Sequence, residues 1–424
     1  MRVVRTFGLG VALALFGFVQ AQPMTIAIWD LLSGGDGVRF QQIVDEFNGS
    51  QDRVQVKRTT LEWGVPFYTK VRTSIAAGQQ PDVITYHASR LPDAVAAGLL
   101  QPISDTDLAS VDLAKNDFPS TLIDKATFDG ELYAVPMDIH PLVLYYNKDL
   151  LKKAGLLGSN GLPQNIEGIE NFTRALQQVK ERTGKLGVSL SSEGGTAWRI
   201  WYSLVSQQNA KVFDNGQVAF GEAGARALED VASWVRDGLA PRSTDYQASV
   251  ALFTTGNAAF FINGVWEVPT LVDLTAKGNL PFDYGIMPLP RLYDRSATWA
   301  DSSTLAIPNS PKSPISQEKR QAVLEFISFV EHHELIWASG GHLPAYLPVF
   351  NSSKYKAMEP NRQYAAVSSQ VVFEPDVIIA GAAGPVMDDA ANFLTPAFDG
   401  RISVEDALQG FTEQLERDLA SATK

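Results

Sequence analysis

The chain has 424 residues, 45% of them hydrophobic, with 47 acidic residues against 35 Lys and Arg, a formal charge of -12 and no cysteine. That length exceeds a single core and predicts two or three domains. The acidity disfavours nucleic acid and anionic lipid as partners, because phosphate binding needs clustered Lys and Arg. Without cysteine there is no disulfide, thiolate metal site, cysteine nucleophile or lipid-modified cysteine, so an exported chain of this kind relies on its core alone.

Residues 1–21 carry Arg2 and Arg5, an apolar run over 7–19, and Val19-Gln20-Ala21 as a small-x-small cleavage signal. This is the pattern of a secretory signal peptide. The apolar run is shorter than the roughly 20 residues of a membrane-spanning helix, so a soluble, exported and unlipidated periplasmic protein is expected, with a mature charge of -14 once the two arginines are removed. Short β-rich runs at 25–29, 54–57 and 83–86 then alternate with helical patterns at 38–47 and 66–77, which predicts α/β layers. Two proline-broken crossovers follow, VPMDIHP at 135–141 and MPLP at 287–290. Between them, the apolar run 258–262 is bounded by Gly256 and Asn263-Gly264 and reads as a buried strand ending in a turn that delivers Trp266. An indole there is either core or a stacking platform for the apolar face of a sugar ring.

Several segments, in order, resemble the extracellular solute-binding proteins of family 1, the ABC-importer sugar binders that include the maltose-binding protein. They are MTIAIWDLLSGGDGVRFQQIVDEFN, KVRTSIAAGQQPDVITYHASRLPDAVAAGLLQPIS, YAVPMDIHPLVLYYNKDLLKKAGL, TTGNAAFFINGVWE, FDYGIMPLP, STLAIPNSP and the final ISVEDALQGFTEQLERDL. The resemblance implies an α/β, two-lobed periplasmic-binding-protein fold of type II. Lobe 1 would be 22–138 plus 286–312 and lobe 2 would be 139–285 plus 313–424, discontinuous and joined by a hinge. Hinge closure of such lobes around a ligand is the behaviour of periplasmic binding proteins. It further implies a monomer that hands its ligand to the transmembrane subunits of an ABC permease with a cytoplasmic ATPase.

Open α/β sheets bind ligands beyond the carboxyl ends of their strands. That rule selects Trp29 and Asp30, then Tyr86, His87, Ser89 and Arg90, then Asp138 and His140. By position in the family, Tyr86 and Arg90 match sugar-binding residues, Ser89 replaces an aspartate, and Asp138 stands where a glutamate binds sugar. Trp63, preceded by Glu62, marks a helix start where relatives place a cleft Trp; a hydrophobic staple is its structural alternative. Trp299 and Asp301 in RSATWADSST precede a returning strand. Gly341 and His342 follow a long helix, where glycine also serves as a helix terminus. The segment GAAGPVMDDAANFL lacks a family stacking Trp, which favours a mono- or disaccharide or a polyol over a long oligosaccharide.

Enzymatic signatures are weak. His332 and His333 are adjacent in a helix, about 100° apart, and cannot form the two-histidine face of a zinc protease; there is no nucleophile elbow and no P-loop. Paired carboxylates among Glu62, Asp138 and Asp301 leave a secreted glycosidase as the enzymatic alternative. Glycerol-3-phosphate or a related phosphorylated polyol is the alternative ligand, received by Arg90, His87, His140 and His342. No catalytic residue, metal or organic cofactor is implied.

Overall fold

The computed structural model describes residues 23–422, so the expected signal peptide and its cleavage site lie outside the described residues. The chain begins with β1 (Met24–Asp30), α1 (Gly34–Ser50), β2 (Val54–Thr60), α2 (Val65–Ala77) and β3 (Val83–His87). In α1 the buried residues Phe40, Ile43, Val44 and Phe47 fall at helical spacing and cover Ile26 and Ile28 of β1 in one core. β4 (Ala134–Pro136) is followed, after Met137 alone, by β5 (Asp138–Asn147).

Next come β6 (Leu186–Ser189), α3 (Gly194–Gln207), β7 (Ala258–Gly264), β8 (Tyr284–Pro288), β9 (Thr298–Asp301) and β10 (Ser303–Ala306). The remainder holds α4 (Gln317–His332), α5 (Glu334–Ala338), β11 (Leu343–Pro344), β12 (Val371–Phe373), α6 (Pro385–Phe398) and α7 (Val404–Ala422). The first sheet has the order β2-β1-β3-β10-β4, with β1, β2 and β3 parallel and β10 antiparallel to both its neighbours. The second has the order β12-β9-β5-β7-β6, with β8 and β11 also pairing to β5.

β5 is the spine of the second sheet, and its period-2 alternation serves two cores. Val143 and Tyr145 point into the core shared with the first sheet, and Leu142, Leu144 and Tyr146 into a second core with Trp198, Phe260, Leu394 and Phe411. The chain crosses between sheets at Met137 and returns at Ser302, and the crossings are tied together. Met137 donates its amide to the Ser303 carbonyl at 2.8 Å, and Ser303 donates its amide to Asp138 Oδ1 at 2.7 Å.

These contacts place two lobe boundaries elsewhere than the sequence reading. Residues 284–288 and 298–301 pair within the second sheet, so the return to the first lies at Ser302 rather than at 286. The MPLP segment only ends β8, because its prolines cannot extend the ladder. α4 packs Val323, Phe326, Ile327 and Val330 into the core of the first sheet, although 313–424 was expected in lobe 2. Its apolar stripe fits either core by pattern, and the tertiary path decides. Among the described residues no helix is long and apolar enough to cross a membrane.

Candidate functional site

Where the sheets meet, the carboxyl ends of β3, β9 and the start of β5 bring His87, Asp301, Asp138 and His140 together. Asp138 is fully buried and accepts from Ser303 N (2.7 Å) and His140 Nδ1 (2.9 Å) on Oδ1, and from Trp337 Nε1 (2.8 Å) on Oδ2, with His342 Nδ1 at 2.8 Å from the same oxygen. A carboxylate offers about four lone-pair sites. Three are taken by these hydrogen bonds and the fourth direction faces the His342 ring, so the carboxylate is occupied chiefly by the protein's own donors. Burial opposes its charge, but His140 and His342 hold its carboxyl far below the usual range.

His342 faces a carboxylate at each ring nitrogen at ion-pair distance, Nδ1 toward Asp138 and Nε2 at 3.1 Å from Asp36 Oδ1, though neither contact has hydrogen-bond geometry, and its ring stacks on Trp337 at 4.3 Å. Burial disfavours the imidazolium, yet Asp36 and Asp138 raise its pKa to about 10. It is therefore a charged clamp between Asp36 of α1 and Asp138 of β5. Gly341 beside it has φ +96°, and a Cβ there would stand 2.2 Å from the Val265 carbonyl. Only glycine admits this approach, which docks the His342 loop on the segment carrying Trp266.

Trp266 is partly exposed and donates Nε1 to Tyr246 Oη at 2.7 Å, while its ring meets Trp299 edge-on at 6.2 Å and His140 at 6.0 Å. Trp299 is 1% exposed and donates Nε1 to Glu374 Oε1 at 2.6 Å, so it is part of the second core. Over both rings lies Arg199 of α3, its guanidinium 4.6 Å from the Trp299 centroid and 5.3 Å from that of Trp266. Its Nε is buried without an acceptor among the described residues, and burial lowers its pKa. Glu374 is raised to about 7 by burial and by Asp301.

His87 accepts or donates at Nδ1 with the Tyr68 hydroxyl at 2.6 Å; burial depresses its pKa to about 4. Asp301 takes the Ser89 and Ser302 amides on Oδ1 (3.1 and 2.8 Å) and the Ser89 hydroxyl on Oδ2 (2.5 Å). Ser89 in turn receives the Ala382 amide at 3.1 Å. The small-residue segment before α6 thus occupies by backbone approach the region where a stacking Trp is absent.

Tyr86 is buried against Tyr68, with ring centroids 5.1 Å apart, and its pKa is pushed up to about 12 by burial. Arg90 pairs with Asp93 at 3.2 Å and lies over Tyr68 at 4.9 Å, with Nε buried and unaccepted. Glu62 is exposed and Trp63 is 44% exposed at the rim, neither a staple nor a buried platform. Asp30 is closed off by Arg58, at 2.7 and 2.8 Å. The sequence reading missed Arg199, Tyr246 and Glu374. A lone arginine in the apolar helix AWRIWYSLV was the available signal, since a charge in such a setting needs a partner or a ligand.

The sequence profile of the bacterial extracellular solute-binding proteins matches residues 33–334. The chain is 23% identical over 347 residues to the arabinooligosaccharide-binding protein of Bacillus subtilis (strain 168), across 77% of this chain and 74% of that protein. It is 26% identical over 301 residues to the mannitol-binding protein of Pseudomonas aeruginosa, across 69% and 66%. Its fold matches that of UgpB from Mycobacterium tuberculosis, solved with glycerophosphocholine, with a TM-score of 0.80 at 18% identity over 94% of this chain and 99% of that one.

Proposed function

Since the chain belongs to the bacterial extracellular solute-binding protein family, whose members bind substrates rather than transform them, we propose that it captures a neutral, hydroxyl-rich ligand between its lobes. The ligand class is a mono- or disaccharide or a polyol, released to the membrane subunits of an ABC importer outside the cytoplasm, in the periplasm for an unlipidated form. The observation carrying this reading is the partly exposed face of Trp266, framed by His140, Trp299 and the Arg199 guanidinium, whose buried Nε has no acceptor among the described residues. An aromatic face with hydrogen-bond donors at its edge suits a sugar ring. Asp36, Asp138 and Asp301 outnumber His342 and Arg199 around the cleft, which favours a ligand without negative charge. The arabinooligosaccharide and mannitol binders among the relatives support the class.

A phosphorylated polyol such as glycerol-3-phosphate is the second reading, favoured by two buried guanidinium Nε atoms without acceptors, on Arg90 and Arg199. Thermal unfolding of refolded protein against sugars, polyols and glycerol phosphates separates the two. Ligand at ~1,000 times its Kd adds roughly 4 kcal/mol of stability. A shift with a neutral compound, recovered chemically intact, supports the first reading; a shift with phosphates alone supports the second. Conversion of the compound to product would instead overturn binding without catalysis.

A further inference from the structure

We propose that His87, His140 and Asp301 form a binding site for one divalent transition-metal ion of the zinc type. The three side chains are buried, each with a ligand atom within 4.8 Å of the others, and the two imidazoles meet at 5.6 Å between centroids, nearly perpendicular. Two histidines and one carboxylate are a usual zinc ligand set, with a remaining position for water or a bound molecule.

The surrounding hydrogen bonds select the ligand atoms. The Tyr68 hydroxyl occupies Nδ1 of His87 and Asp138 occupies Nδ1 of His140, which leaves Nε2 of each ring for the ion. Metal-bound histidines commonly engage their other nitrogen with a carboxylate or another polar group, which fixes the ring. Asp301 has three protein donors on its two oxygens, so one lone-pair direction remains on Oδ2. A competing triad, Asp138, His140 and His342, also lies within 4.8 Å, but there Asp138 already accepts from Ser303, His140 Nδ1 and Trp337, and each His342 nitrogen faces a carboxylate at ion-pair distance. Asp138 therefore belongs behind His140, as its orienting partner. The Arg199 charge, which opposes a cation, faces Glu374 as well as Asp301.

His140 also borders the Trp266 face of the neutral-ligand reading, but the metal site does not rest on that reading and its test needs no sugar. The full chain is stripped with a chelator and titrated with Zn2+ by calorimetry and with Co2+ by visible absorption. One ion per chain is expected, with His140→Gln and Asp301→Asn each weakening Zn2+ binding at least about tenfold, and Tyr68→Phe, which keeps all three ligands, by roughly 10- to 100-fold. His332→Gln/His333→Gln should leave it unchanged. Undiminished Zn2+ affinity in folded His140→Gln would overturn the site. Should that variant not fold, the wild-type Co2+ spectrum decides: intense low-coordinate bands support the site, and a weak octahedral spectrum overturns it.

Discussion

The guanidinium of Arg199 lies 4.6 Å from the ring centroid of Trp299 and, among the described residues, its buried Nε has no hydrogen-bond acceptor. Cation–π attraction to Trp299 and Trp266 holds the group in place while its donors stay unspent, an arrangement that a ligand's oxygens would complete. Arg199→Met keeps the apolar stem and removes the donors. It should weaken ligand binding by about 1.5–3 kcal/mol, the worth of hydrogen bonds to a charged group. Stability without ligand should hold or rise, because a desolvated charge is gone. Isothermal titration with the ligand found by thermal screening measures the first, urea unfolding the second; wild-type affinity would remove Arg199 from the site.

The two indoles near it should behave oppositely. Trp299 is sealed in the second core, so Trp299→Ala should cost about 3–5 kcal/mol of folding stability. Trp266 presents a partly open face, so Trp266→Ala should cost on the order of 1–3 kcal/mol of binding with a cooperative fold retained. Denaturation midpoints and binding isotherms for both variants check the contrast, and equal stability losses would contradict it.

His342 makes stability depend on pH. Its folded pKa of about 10 exceeds the unfolded value of 6.5, so the charged clamp contributes fully below pH 6.5 and is lost as pH rises toward 10. His342→Gln leaves Asp36 and Asp138 without their cation, and breaking a buried pair this way costs about 3–5 kcal/mol. Urea unfolding of both proteins across that range should show their difference shrinking with rising pH; a constant difference would refute the clamp.

Gly341→Ala joins two penalties, a left-handed φ of +96° and a Cβ 2.2 Å from the Val265 carbonyl. Strain of this kind costs on the order of 1–3 kcal/mol. Because Val265 adjoins Trp266, the variant should lose ligand affinity along with melting temperature. A drop in melting temperature with unaltered affinity would separate the loop from the site.

Much of the fold was legible in local pattern. The strand predicted over 25–29 is Met24–Asp30, that over 83–86 is Val83–His87, and the helix over 66–77 is Val65–Ala77. Each combines an unbroken periodicity with flanking turn residues. Strand-end reasoning also picked out His87, His140 and Asp301, which the fold brings close together. The partners of Asp138 and His342 were not readable, because they are Trp337, Ser303 and Asp36 from distant segments.

Residue types and spacing by themselves determined the layered α/β class and the crossover near 137, because burial periodicity and turn chemistry are local; the family followed from the resemblance of several segments in order. Only the tertiary structure decided which polar atoms remain free. Whether Arg199 is a surface charge or an unsatisfied donor, and whether α4 belongs to one core or the other, depends on contacts between segments far apart in the chain, which no local periodicity encodes.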